Sequence, residues 1–223
     1  MRVVSWNLQH GVPDPLGRSA LARAVIPLVT LGADVYGFQE LDRSRWRTRF
    51  EHQGALLAAA LDGELVWARA KRWLWGAQAN ALVVRGEVDA REVLLLPGAG
   101  ERRVAVLAHV TMDGTPWSLA TTHLSLDPVV ADRQLETVLD ALAGRPRPRV
   151  LIGDLNLRPE RVAQVATRTG FTLLDGPPTV DARARPDRRL DHVLVQGATI
   201  LDGGTTKLPL SDHLAVWADL SPG

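Results

Sequence analysis

Stretches in which β-branched residues recur, or apolar and polar residues alternate, predict strands at 3–7, 35–39, 65–69, 79–84, 103–110 and 117–122. Between them the apolar period lengthens. Residues 18–31 carry Leu21, Val25, Leu28 and Val29 on one side, and 50–61 and 129–142 show a similar stripe, so each predicts a helix that covers a sheet. The run Arg145-Pro146-Arg147-Pro148-Arg149 breaks the pattern. Beyond it come a strand at 150–153, a helix at 159–167 starting on Pro159, and strands at 190–195 and 213–220. The Gly-rich stretches 97–100 and 203–204 are as short as ordinary turns, and no repeat interrupts the chain. We therefore expect one α+β domain over residues 1–223, with helices packed outside sheets.

Composition narrows the chemistry more than the fold. Hydrophobic residues make up 46% of the 223 and charged residues 23%, as in proteins that bury a large core. There is no cysteine, which excludes disulfides, a thiolate nucleophile and Cys-ligated zinc, and leaves oxygen and nitrogen groups to do any chemistry. The net charge of +1 predicts no blanket attraction to nucleic acid. Lys71 and Lys207 are the only lysines, so almost all positive charge is arginine, whose planar fork grips phosphate or carboxylate in pairs of hydrogen bonds. The first residues already read as a strand, with no secretion signal, and the apolar runs are shorter than a membrane span. A cytoplasmic monomer is the expectation.

Polar residues collect where predicted strands end. In Gly153-Asp154-Leu155-Asn156, period-two alternation puts Asp154 and Asn156 on one face, where a carboxylate can activate water and an amide can hold an oxyanion; Asp and Asn are equally turn formers. Asn7 closes the first strand and Glu40 the second, and an amide oxygen with a carboxylate suits Mg2+ or Mn2+, although each taken separately reads more simply as a strand-end polar residue meeting solvent. His123 stands at another strand end, able to donate to a phosphoryl oxygen and equally to serve as a satisfied structural histidine. Ser211-Asp212-His213 places an acid and an imidazole at a strand entrance. Neighbours along a strand point oppositely, so Asp191 rather than Asp212 is the residue expected to fix the His213 tautomer, and His192 reads as structural.

The motifs Ser5-Trp6-Asn7-Leu8, Gln39-Glu40, Asn80-Ala81-Leu82, Thr122-His123-Leu124, Gly153-Asp154-Leu155-Asn156, Arg189-Leu190-Asp191 and Ser211-Asp212-His213 occur in that order. In this the chain resembles the endonuclease/exonuclease/phosphatase superfamily, the fold of deoxyribonuclease I and of sphingomyelin and inositol-phosphate phosphodiesterases. The resemblance implies a four-layer α/β/β/α sandwich of two mainly antiparallel sheets, with the site at one end between them. It implies metal at Asn7 and Glu40 with Asp212 beside it, phosphate contacts from Asn80, His123 and Asn156, and water activation by Asp154. His213, held by Asp191, would meet the phosphoryl group or transfer a proton. The implied activity is hydrolysis of a phosphate ester by in-line attack of water, with nucleic acid, phospholipid, inositol phosphate and small esters all admitted as substrates. A non-catalytic phosphate- or nucleic-acid-binding module on the same fold is the alternative, against which every main motif position keeps a chemically competent residue. Among residues outside these motifs, His10 could reach the site but reads more simply as a loop histidine, His52 reads as solvated on a helix, and His109 as packed in a strand. Arg102, Arg103 and Arg133 read equally as phosphate contacts or structural ion pairs. Trp73 and Trp75 read as core, or as a surface that stacks on a base, sugar or lipid headgroup.

Overall fold

The computed structural model describes residues 1–11, 21–181 and 188–223. In chain order they form β1 (Arg2–Asn7), α1 (Ala22–Leu31), β2 (Val35–Arg43), α2 (Gln53–Ala60), β3 (Glu64–Arg72), β4 (Ala77–Val84), β5 (Glu87–Leu95), β6 (Val104–Met112), β7 (Thr115–His123), α3 (Pro128–Ala143), β8 (Arg149–Asp154), α4 (Pro159–Thr169), β9 (Thr172–Leu173), β10 (Asp191–Gln196), β11 (Ala198–Thr206) and β12 (Ala215–Pro222). One six-stranded sheet runs β11-β12-β1-β2-β4-β3, the other β5-β6-β7-β8-β10-β9. Only β1 with β2, and β7 with β8, are parallel, each pair joined through a helix as a βαβ crossover.

Three apolar clusters correspond to the three interfaces of a four-layer sandwich. Val3, Val35, Leu82, Val106, Leu119, Ile152 and Val193 meet between the sheets. Val4, Trp6, Tyr36 and Phe38 pack with Ala24 and Leu28 of α1 and Leu57 of α2. Leu107, Leu151 and Leu194 pack with Leu135, Val138, Leu139 and Leu142 of α3 and Val162 of α4. The α3 positions are spaced three and four apart, so one helix face is wholly buried, each side chain contributing about 1.5–3 kcal/mol. Asp127 caps this helix, accepting from the Val129 and Val130 amides at 2.8 and 3.2 Å.

Several expectations need correction. Residues 18–20 of the predicted first helix lie outside the described residues; the described part starts at Ala22. Strands β5 and β11 were unmarked because both are edge strands, the first largely exposed and the second mostly half-buried, whose residues need no apolar alternation. Gly203 and Gly204 form no turn but lie within β11, where a Cβ on Gly203 would stand 2.7 Å from Leu174 Cδ1. The second helix begins only at Gln53, because His52 caps it, accepting from the Ala55 amide at 3.1 Å rather than riding on its surface. No described helix is long and apolar enough to cross a membrane.

Candidate active site

Strand parity decides which polar residues meet. Along β1, Val3 faces the other sheet while Val4 and Trp6 face the helices, so Asn7 points between the sheets. On β8, Val150 and Ile152 face inward and Leu151 outward, which sends Asp154 inward. On β10, Val193 and Val195 face inward, hence so does Asp191, while His192 faces the helix layer. There His192 is fully buried and bonded to the Leu157 carbonyl at 2.9 Å, as a structural histidine should be. The ladder aligns His123 with Asp154 and Asp154 with Asp191, so three inward groups form one row across β7, β8 and β10.

Glu40 breaks this parity and needs a device. By alternation it would follow Tyr36 and Phe38 toward the helices. The β2–β4 register instead jumps from Phe38 opposite Ala81 to Leu41 opposite Ala79, and Glu40 takes φ 59°. This bulge turns the carboxylate back to the site, and β2 continues to Arg43 instead of ending at Glu40. Asn156 departs from expectation as well: β8 stops at Asp154, and Asn156 sits in a turn at φ 52°. Its amide N–H donates to Asp154 Oδ1 at 3.0 Å and its side chain to the Leu124 carbonyl at 3.0 Å. Turn chemistry, not strand alternation, brings the two together.

The bonds among these groups are specific. Asn7 Nδ2 donates to Asp154 Oδ2 at 2.9 Å and lies 3.5 Å from Glu40 Oε1. His123 spans the same pair, Nδ1 at 3.7 Å from Glu40 and Nε2 at 3.6 Å from Asp154. His213 Nδ1 meets Asp191 Oδ2 at 2.8 Å, and that oxygen also accepts from Thr179 Oγ1 at 2.8 Å. Asp212 stands 3.9 Å from His213 Nε2, so Asp191 is the orienting carboxylate. The last strand begins only at Ala215, which leaves His213 in the preceding loop. That loop is pinned to β1: Ser211 Oγ donates to the Asn7 carbonyl at 2.7 Å, and Trp6 Nε1 to the His213 carbonyl at 3.1 Å.

Beneath the row lies a polar floor of Ser5, Gln39 and Thr121, all fully buried, with Gln39 Nε2 bonded to Thr121 Oγ1 at 2.9 Å across the sheets. Close approach is enforced by glycine. A Cβ on Gly153 would stand 2.2 Å from the Thr122 carbonyl oxygen. Gly153→Ala should therefore force β8 from β7 and destabilise the protein by at least about 3 kcal/mol, the upper part of the overpacking range. Urea unfolding is the measurement; a change within experimental scatter would contradict the packing described.

Electrostatics separates the histidines. Burial would lower His213, but Asp191, through charge and hydrogen bond, with Asp154 and Asp212, outweighs it and raises the imidazole to about 10. Burial lowers His123 to about 4 despite the pull of Asp154, and lowers His192 to about 4. At neutral pH His213 is therefore the charged one. Burial raises the Asp154 carboxyl, opposed by His123 and His213.

His123, Asp154, Asn156 and His213 line a cleft of about 380 Å³ with Asn7, His10, Glu40, Lys71, Gln78, Glu101, Arg103 and Asp212. An adjoining cleft of about 630 Å³ shares Leu126, Asn156 and Leu190 and adds Arg158, Arg161 and Arg188. Asn80 stands behind the wall, buried, donating to the Val104 carbonyl at 3.0 Å. His10, read from sequence as a loop histidine, lies 3.2 Å from Glu40 Oε2, and Gln78 Nε2 also reaches that oxygen at 3.2 Å. No motif flagged Gln78; its place on β4, two residues before Asn80, was the available signal. Arg103, only 8% exposed, faces the cleft beside Glu101 at 3.7 Å.

Asp154, Asp191 and His213 each offer a ligand atom, all within 4.8 Å of one another, close enough to hold a metal. A second group of hard donors, Asn7, Glu40 and Asp212, faces the cleft, and Asp191 Oδ1 and Asp212 Oδ1 are buried without a hydrogen-bond donor among the described residues. Oxygen-rich and partly open, this donor chemistry fits Mg2+ or Mn2+.

Two mixed six-stranded sheets packed face to face, with helices on both outer faces, define a deoxyribonuclease I-like α/β sandwich. The chain belongs to the endonuclease/exonuclease/phosphatase family, whose model matches residues 4–213. An endonuclease/exonuclease/phosphatase from Beutenbergia cavernae superposes with TM-score 0.83 at 25% identity, covering 100% of this chain and 72% of that one. A Bacteroides thetaiotaomicron mannosyl-6-phosphatase superposes at 0.75 with 16% identity, covering 99% of each chain. The TDP2 of D. rerio, in complex with a single-strand DNA product, gives 0.73 at 18% identity, covering 99% of this chain and 98% of that one. Comparison with curated proteins gave no match.

Proposed function

We propose that residues 1–223 form one catalytic domain, a divalent-metal-dependent phosphoesterase that cleaves a phosphodiester or phosphomonoester by in-line attack of water. The observation that carries this reading is the His123–Asp154–Asp191 row facing Asn7 and Glu40 across the end of the inter-sheet core. Family membership supports it, as do structural relatives named for action on a sugar phosphate and for a bound DNA product. Asn7, Glu40 and Asp212 would hold Mg2+ or Mn2+, which when bound supplies positive charge against the phosphoryl oxygens.

The chain's own groups do the rest. Asp154, fixed at both oxygens by Asn156 and Asn7, orients the water and takes its proton; its raised pKa makes it a better base than an exposed carboxylate. His213, charged and aimed by Asp191, stabilises the equatorial oxygens as negative charge builds. His123, neutral, and Asn156 donate hydrogen bonds to the same phosphoryl group. Asn80, committed to Val104, supports the segment that carries Arg103. Asp191 is given to His213 through Oδ2, which accepts from both His213 and Thr179, so only its Oδ1 is left to face a metal.

Bis-p-nitrophenyl phosphate hydrolysis with Mg2+ or Mn2+ tests the assignment in the native chain and in Glu40→Ala, Asp154→Ala and His213→Ala. Glu40→Gln should raise the Mn2+ concentration needed for half-activation by at least about tenfold, the loss of roughly 1.4 kcal/mol of binding. Unchanged activity in all three alanine variants would remove the site. A folded native protein that turns over no nucleic acid, phospholipid or phosphomonoester would favour a binding module on this fold.

A further inference from the structure

The residues that the catalytic cleft does not use include a concentrated apolar and basic surface beside it. Two loops form this surface. Residues 43–51 connect β2 to α2, and residues 69–76 end β3 and turn into β4. They touch: Arg45 Nη1 donates to the Trp75 carbonyl at 3.1 Å, and a Cβ on Gly76 would meet the Arg43 and Ser44 carbonyl oxygens at 2.5 Å. Four large apolar side chains stand out from them into solvent, Trp46 at 73%, Phe50 at 62%, Leu74 at 90% and Trp75 at 71% exposure. Folding alone gives no reason to expose so many in one place.

Charge is equally local. Seven of the chain's 26 Lys and Arg residues fall in these two segments, against the single acid Glu51, although the whole chain is nearly neutral. Arg45 and Lys71 lie over the Trp73 ring at 4.1 and 5.1 Å, and Arg43 over Trp67 at 4.6 Å. Cations thus already lie on the two more sheltered indoles, while the protruding Trp46 and Trp75 stand beside Leu74 and Phe50. An aliphatic tip such as Leu74 gains little from a nucleobase but gains from an acyl-chain boundary, and tryptophan prefers that same depth. Arginine around an apolar tip matches anionic headgroups in the plane above. Lys71 lines the catalytic cleft as well, so the two surfaces are continuous.

We propose that residues 43–51 and 69–76 dock the protein peripherally on an anionic lipid surface, with the catalytic cleft bordering the membrane. Docking does not depend on the phosphoesterase reading, since it is measured without turnover. The intact protein is mixed with vesicles of phosphatidylcholine alone or with phosphatidylglycerol, and sedimented. Binding is expected to the mixed vesicles, with a blue shift of tryptophan emission and weakening as salt is raised. The double variant L74S/W75S should lose at least about tenfold in partitioning, given the apolar area it withdraws. Leu201→Ser, which removes an exposed leucine on β11, should bind as the native protein does. Circular dichroism of all variants separates lost docking from lost folding. No binding to the mixed vesicles at low salt, or native-like binding by folded L74S/W75S, would overturn the proposal. So would saturable quenching of the tryptophans by oligothymidylate with no response to vesicles, which would assign the surface to single-stranded nucleic acid.

Discussion

Asp154→Asn is expected to fold as the native chain does and to hydrolyse bis-p-nitrophenyl phosphate about 10²- to 10⁴-fold more slowly, the range a positioned general base supplies. The substitution keeps the shape of a side chain that is 2% exposed and removes only its charge and basicity. Its amide oxygen can still accept from Asn156, but its NH2 then faces Asn7 Nδ2, a modest repulsion where a bond stood. Thermal unfolding and single-turnover rates, measured together, separate the two effects. A variant that retains native turnover would take the proton-accepting role away from Asp154.

The second large effect concerns the His213–Asp191 pair. Removing His213 as His213→Ala should cost about 10²–10³ in kcat, the usual loss when one preorganised donor to a developing oxyanion is deleted. Asp191→Asn should act through the same imidazole. In the metal-free native protein, an NMR titration should show His213 protonated through neutral pH and titrating near 10; in Asp191→Asn it should move back toward the ordinary histidine range. The stability consequence has a definite sign. Because the folded value lies above the ordinary 6.5, the pair's stabilisation is complete below about pH 6.5 and is lost as pH rises toward 10. The stability difference between native protein and Asp191→Asn should therefore shrink over that interval. A native His213 that titrates near 6.5 would show that Asp191 does not hold it as described.

Much of this could be read from the chain because buried strands leave a parity record. Val3, Val150 and Ile152 alternate with residues that face helices, so the direction of Asn7 and Asp154 was implicit once those strands were placed. Glu40 was legible only as a polar residue after a strand, since the bulge that redirects it depends on the β4 register and leaves no local mark. Asn156 was found by a mistaken route, for its position comes from a turn bond to Asp154 and not from strand alternation. Gln78 was missed for a related reason, and His10, weighed as able to reach the site, was left as a loop histidine. Neither ends a predicted strand; Gln78 reaches the Glu40 carboxylate because β4 pairs with β2, and His10 because the segment that follows β1 packs beside β2. Edge strands β5 and β11 escaped because exposure, greater in the first, weakens the selection for apolar spacing.

The pairing of β1 with β12 has a consequence for how the protein is made. Val4 lies opposite Trp217, and Arg2 opposite Asp219, so one neighbour of the first strand is synthesised long after it. At common synthesis rates the free edge of β1 waits on the order of 10–40 s for that partner. Through this interval Asn7 is already present while His213 is not, so the cleft is complete only once the segment carrying His213 has been made. The newborn chain must keep an apolar strand edge from pairing elsewhere until then, and slow or interrupted synthesis should raise aggregation before it lowers specific activity.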